Sequence, residues 1–128
     1  MINIEYTLEA LFGEPGPNFY WKGKCKDYLR LMNDLYVLAK ENGHSLFLND
    51  FSYINMRSGH KVLLKSSENG IINNSIQNET ILIDLDKQYW KKILIYFLIL
   101  SLSKSHEYID FDGKNLIENA NWIISSEG

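Results

Sequence analysis

The stretch KQYWKKILIYFLILSLSK, residues 87–104, constrains this chain more than any other. Asp86 before it is a ready N-cap, and the pattern predicts a helix from about Lys87 to Ser103. Within it, Ile93 to Leu100 is apolar on every side. Eight such residues are far too few to cross a bilayer of roughly 30 Å, which takes about 20. A helix of this kind must be covered by protein. The expectation is core burial, across a sheet and under a neighbour, with a subunit contact as the alternative.

A second helix follows from KGKCKDYLRLMNDLYVLAKENGH. Tyr28, Leu31, Met32, Leu35, Leu38 and Ala39 recur at three-and-four spacing, and Asp27, Arg30, Asp34 and Glu41 fall mostly opposite, predicting a helix over about 24–42. Gly43 supplies the stop. Before it, GEPGPNFYW disfavours regular structure and predicts a turn or a short extended entry. From Ser45 the apolar period falls to two. SLFLND, FSYINM, HKVLLKS and ETILIDLD are short, β-branched and aromatic stretches separated by turn residues, with Met56 to His60 as a hairpin turn around Gly59. The Asn-rich connection 67–78 reads as an exposed loop in which Ile71, Ile72 and Ile76 pair briefly at most. HEYIDF and NWIISS close the chain as two more strands around DGKN. The sum is an α+β domain: a mostly antiparallel sheet of about five or six strands with two main helices packed on it, and a core shared by Tyr28, Met32, Leu35, Ile93, Phe97 and Leu100.

At 128 residues, 45% hydrophobic and 23% charged, the chain has room for one globular domain, 1–128, and no second. The single Cys25 excludes an internal disulfide, and no His and Cys cluster has zinc spacing. A reducing cytoplasm fits this usage. The N-terminal stretch carries Glu5 and Glu9 without a basic region or long apolar run, so it does not read as a signal peptide. A net charge of −3 argues against a nucleic-acid partner. Acid is concentrated late: after Lys104 only Lys114 stands against Glu107, Asp110, Asp112, Glu118 and Glu127. A charged partner of that end is a basic one.

The stretch SHEYIDFDGKN places His106, Glu107, Asp110 and Asp112 within seven residues. Strand alternation puts His106, Tyr108, Asp110 and Asp112 on one outward face and turns Ile109 and Phe111 inward. A facial metal triad there would need a second His from His44 or His60, neither in a ligand motif. A calcium loop counted from Asp110 reaches Asn121 where a Glu is required. Cys25, between Lys24 and Lys26 at a helix start, is a conceivable reactive thiol, but it sits at an apolar-periodic position with no base in sight. No cofactor and no metal are therefore expected, and neither is catalysis. Exposed rings beside acids instead suit protein binding, and Tyr108, Asp110, Asp112, Glu118 and Trp122 form the candidate partner surface.

A small acidic α+β chain without a catalytic motif, rich in Asn, Ile and Lys and ending in HEYIDFDG and ANWIISSE, resembles the immunity proteins of bacterial contact-dependent growth inhibition and other polymorphic toxin systems. The resemblance implies a cytoplasmic toxin inhibitor that acts by protein–protein interaction on one cognate domain, often a nuclease. It carries no residue roles with it. The alternatives are a phage- or plasmid-type inhibitor of a host enzyme, or a small enzyme using Cys25 or the His106/Asp110/Asp112 face.

Overall fold

The structure, a computed structural model, describes residues 1–71, 74–111, 114, 115, 117 and 120–128. Helix α1 (Cys25–Lys40) buries Tyr28, Leu31, Leu35, Leu38 and Ala39, the residues of its apolar stripe, and Met32 packs half-buried against the same core. Gly43 lies two residues past the C-cap Glu41 at φ +97°, where its N–H bonds to the Ser66 carbonyl at 2.6 Å. Helix α2 (Lys87–Leu102) starts at Asp86, whose carboxylate accepts the Gln88 N–H at 2.8 Å. Asp86→Ala should therefore lower unfolding free energy by about 1 kcal/mol in urea titration.

Two mixed sheets carry these helices. Strands β1 (Ile2–Thr7), β2 (Asn18–Gly23), β3 (Ser45–Phe47), β4 (Ile54–Met56), β5 (Lys61–Ser66), β6 (Ser75–Gln77), β7 (Thr80–Leu85), β8 (Ser105–Tyr108), β9 (Asp110–Phe111), β10 (Lys114–Asn115) and β11 (Asn121–Ser126) follow in chain order. The first sheet has the order β4-β1-β2-β11-β8, the second β3-β5-β7-β6, and β9 and β10 pair antiparallel by themselves. The mostly antiparallel expectation is corrected here: β1 with β4, β2 with β11 and β5 with β7 are parallel pairs. Alternation shows that a segment is extended but not which neighbour it joins. The turn around Gly59 has the expected positive φ of 75°, yet it joins strands of different sheets and closes no hairpin. β2, expected at most as a short extended entry, and β1, for which no element was expected, are six-residue strands in the middle of the first sheet. The Asn-rich connection supplies the edge strand β6, and Ile71 bridges to Leu85; Ile72 lies outside the described residues.

Each helix begins on one sheet and ends on the other. Early in α1, the Tyr28 hydroxyl donates to the Ser125 carbonyl of β11 at 2.9 Å; just past its end, Gly43 meets Ser66 of β5. In α2 the order reverses: Trp90 Nε1 donates to Lys65 of β5 at 2.8 Å, and Phe97 stacks on Trp21 of β2, ring centroids 5.9 Å apart and 14° from parallel. The helices thus lie antiparallel across both sheets. They press on one face of the first sheet, where Ile2, Ile4, Phe19, Trp21, Trp122 and Ile124 are buried. Among the described residues no helix is long and apolar enough to cross a membrane.

α2 is not buried all round. Trp90, Ile93, Leu94, Phe97 and Leu100 are covered, whereas Ile95, Leu98, Ile99 and Leu102 face solvent. The helix layer is the outermost layer on its side, so only half of the apolar cylinder finds a neighbour.

Candidate functional site

Among the described residues, no helix lies over the other face of the five-stranded sheet. Strand register places side chains there in rows. Asn3, Lys22, Ser125 and His106 lie side by side across β1, β2, β11 and β8, and Glu5, Tyr20, Ile123 and Tyr108 form the next row. Asn55 on β4 extends the first row and donates through Nδ2 to Asn3 Oδ1 at 2.9 Å.

Ile123 is fully buried on this face because aromatic rings roof it. Tyr20 and Tyr108 are its direct cross-strand neighbours. The Phe12 ring lies 5.3 Å from Tyr20 and 4.6 Å from His106, and His106 lies 5.3 Å from Tyr108. Phe12 comes from a tight turn in which Leu11 and Glu14 exchange backbone hydrogen bonds of 3.0 and 2.8 Å. Phe12 and Gly13 both take positive φ, 52° and 79°. A bulky ring is uncommon in that region and costs roughly 1–3 kcal/mol, strain that collects at functional positions. The loop carrying it is pinned by two amides. Asn18 Nδ2 donates to the carbonyls of Glu9 (2.9 Å) and Glu14 (3.2 Å), and Asn121 Nδ2 donates to the Pro15 carbonyl (3.1 Å) and Asn18 Oδ1 (3.0 Å). Nevertheless Phe12 is 59% exposed and Tyr108 39% exposed, so the rings remain available to a partner.

Two clefts flank the rings. One, of about 310 Å³, is lined by Asn3, Glu5, Tyr20, Lys22, Arg57 and Glu127. Its Lys22 ammonium pairs with Glu127 at 3.5 Å. The other, of about 370 Å³, is lined by Glu14, Tyr108, Ile109, Asp110, Asn121 and Trp122. Four carboxylates against two cations make the combined lining acidic.

The candidate residues read from sequence divide on this surface. His106, Tyr108 and Asp110 are exposed, and Ile109 is buried as alternation requires. Asp112 and Glu118 lie outside the described residues. Trp122 is corrected: it is 1% exposed, with its ring 5.2 Å from Trp21 and 5.8 Å from Phe19, and it belongs to the core. β11 is flanked by strands on both sides, and Trp122 falls on its helix-covered face. Sequence reasoning missed Phe12, Tyr20, Glu5, Glu14 and Arg57. The alternation of Phe19, Tyr20, Trp21 and Lys22 was the available signal for Tyr20; the Phe-Gly pair was the signal for the turn.

Cys25 is half-buried with Sγ 3.2 Å from the Ser126 hydroxyl. Among the described residues no group of three or more His, Cys, Asp or Glu stands in metal-binding proximity.

The fold and face together define an α+β domain with two mixed sheets bridged by an antiparallel helix pair, and an open aromatic sheet face. Comparison with protein-family models, with curated proteins and with solved structures gives no match.

Proposed function

We propose that this chain is an immunity protein that neutralises a basic toxin domain, and that the outer face of the five-stranded sheet is its docking surface. The observation that carries the reading is the group of four rings, Phe12, Tyr20, His106 and Tyr108, held in mutual contact on the solvent side. Rigid aromatics bury large area at small entropic cost and are the residues that dominate interface energetics. Glu5, Glu14, Asp110 and Glu127 around them select a basic partner and accelerate encounter with it. Stacked rings on an open sheet also suit single-stranded nucleic acid. Here the surrounding carboxylates repel phosphates, so the protein partner is the better fit.

The test measures binding to a cognate basic toxin domain. Glu14→Lys with Asp110→Lys should slow association, more strongly at low salt, where attraction is least screened. Phe12→Ala with Tyr108→Ala should leave association nearly unchanged and raise the dissociation rate at least tenfold, the counterpart of about 1.4 kcal/mol. Unchanged rates in both double variants would remove the sheet face from the interface.

A further inference from the structure

Ile95, Leu98, Ile99 and Leu102 follow one another by three, one and three residues along α2 and are 57, 42, 38 and 74% exposed. Contiguous apolar patches of this kind on soluble proteins usually mark an interaction site. The patch lies on the helix layer, across the first sheet from the ring cluster, so it is a separate surface with its own occupant. We propose that this stripe is the two-fold interface of a homodimer in which α2 packs antiparallel against α2 of a second copy.

Spacing and charge select this occupant and this direction. Ile95, Leu98 and Leu102 repeat by three and four, the seam spacing of paired helices, and Ile99 widens the seam. The stripe is centred between Leu98 and Ile99. An antiparallel pair crossing there sets Ile95 against Leu102 of the second copy and Leu98 against Ile99, so the patch is complementary to itself, as a two-fold contact requires.

The charges of α2 are lopsided: Lys87, Lys91 and Lys92 lie in its first half, it has no Asp or Glu, and its last turn has no basic residue. A parallel pair would set these lysines side by side. In the antiparallel pair each Lys91 lies roughly 11 Å from the crossing, so the two are about 22 Å apart. That separation is well beyond the ~8 Å screening length at physiological salt.

Sedimentation equilibrium of the full chain from micromolar to millimolar concentration should show a monomer–dimer equilibrium. Leu98→Glu should weaken it at least tenfold, while the variant and the wild type melt together at a dilution where both are monomeric. Direction is read independently in a Cys25→Ala background. A short bis-maleimide should couple a mixture of Ile95→Cys and Leu102→Cys chains to each other, and should not couple either variant to itself. A wild type that stays monomeric throughout overturns the proposal, as does one that remains monomeric and sediments with phosphatidylserine vesicles, which would assign the stripe to a lipid surface. A dimer indifferent to Leu98→Glu, or self-coupling of Leu102→Cys, overturns it equally. None of these readings involves the toxin domain, so they stand or fall apart from the sheet face.

Discussion

Phe97→Ala should be among the most damaging single substitutions in this chain, lowering unfolding free energy by roughly 3–5 kcal/mol. The Phe97 ring stacks on Trp21 of β2 at 5.9 Å and on Tyr28 of α1 at 6.2 Å, so one side chain of α2 ties the other helix to the first sheet. All three rings are fully buried. Truncation forfeits the transfer free energy of the ring and leaves a cavity between stiff aromatics that cannot collapse to fill it. A loss of that size is a large part of the roughly 5–15 kcal/mol available to a domain of ordinary stability. Leu35→Ala and Leu100→Ala, at fully buried positions, should each cost about 2–5 kcal/mol. Tyr36→Ala, on the exposed side of α1, should stay within about 0.5 kcal/mol. Urea midpoints at constant slope provide the measurement. Equal midpoints for Phe97→Ala and Tyr36→Ala would refute the assignment of the core.

The contrast between Phe97 and Ile95 also explains how far the sequence is legible. Both helices were visible to within a few residues because amphipathic period and capping are local properties, and α1 shows a clean stripe. In α2 the stripe is hidden: apolar residues occupy both the face on the sheets and the face in solvent, so the run implied burial all round. How many layers cover a helix is a tertiary property that no periodicity encodes. The strands behaved similarly. β5, β7 and β11 stand out by composition, but their parallel partners are chosen by the path of the chain: α1 and α2 come between β2 and β11, and β6 comes between β5 and β7. β1 carries an alternating Ile2, Ile4, Tyr6 signal that is weak because only three of its residues are apolar.

For the site, alternation was sufficient along a strand with one clear face. His106, Tyr108 and Asp110 point outward, and Ile109 inward, because charged and apolar residues mark opposite sides there. It failed at Trp122-Ile123-Ile124, three apolar residues in succession whose local pattern gives no preference for either face. The register settles the matter: Trp122 and Ile124 lie beside Phe19 and Trp21 under the helices, and Ile123 lies beside Tyr20 and Tyr108 under the outer rings. The ring cluster as a whole was not legible. Phe12 and Tyr20 are near in sequence, but His106 and Tyr108 join them from far along the chain only because β11 pairs with both β2 and β8.

Above about pH 10, stability should fall steeply, and two buried tyrosines should account for much of the fall. Burial pushes the Tyr28 hydroxyl well above its ordinary range, outweighing the opposing effect of its bond to the Ser125 carbonyl. Burial also raises Tyr53, assisted by the Asp34 carboxylate that accepts a hydrogen bond from its hydroxyl at 2.6 Å. Tyrosine in the unfolded chain ionises near pH 10. Once the pH passes that value the unfolded state releases protons that the folded state still holds, so the unfolded state binds fewer, and unfolding free energy declines as pH rises. Both contributions are present in full below about pH 10 and are lost progressively through the folded-state values above it. Between the unfolded and folded values each tyrosine adds a slope of about 1.4 kcal/mol per pH unit. Urea titrations from about pH 8 to about pH 11, with tyrosinate absorbance followed in parallel, separate this from lysine deprotonation. Tyr53→Phe should lower stability at neutral pH, because the hydrogen bond to Asp34 is lost, and yet flatten the alkaline decline by the slope of one group. Tyr28→Phe should act the same way through its bond to Ser125. An alkaline decline equally steep in both variants and in the wild type would mean that these hydroxyls ionise in the folded protein as they do in water, and would contradict their burial.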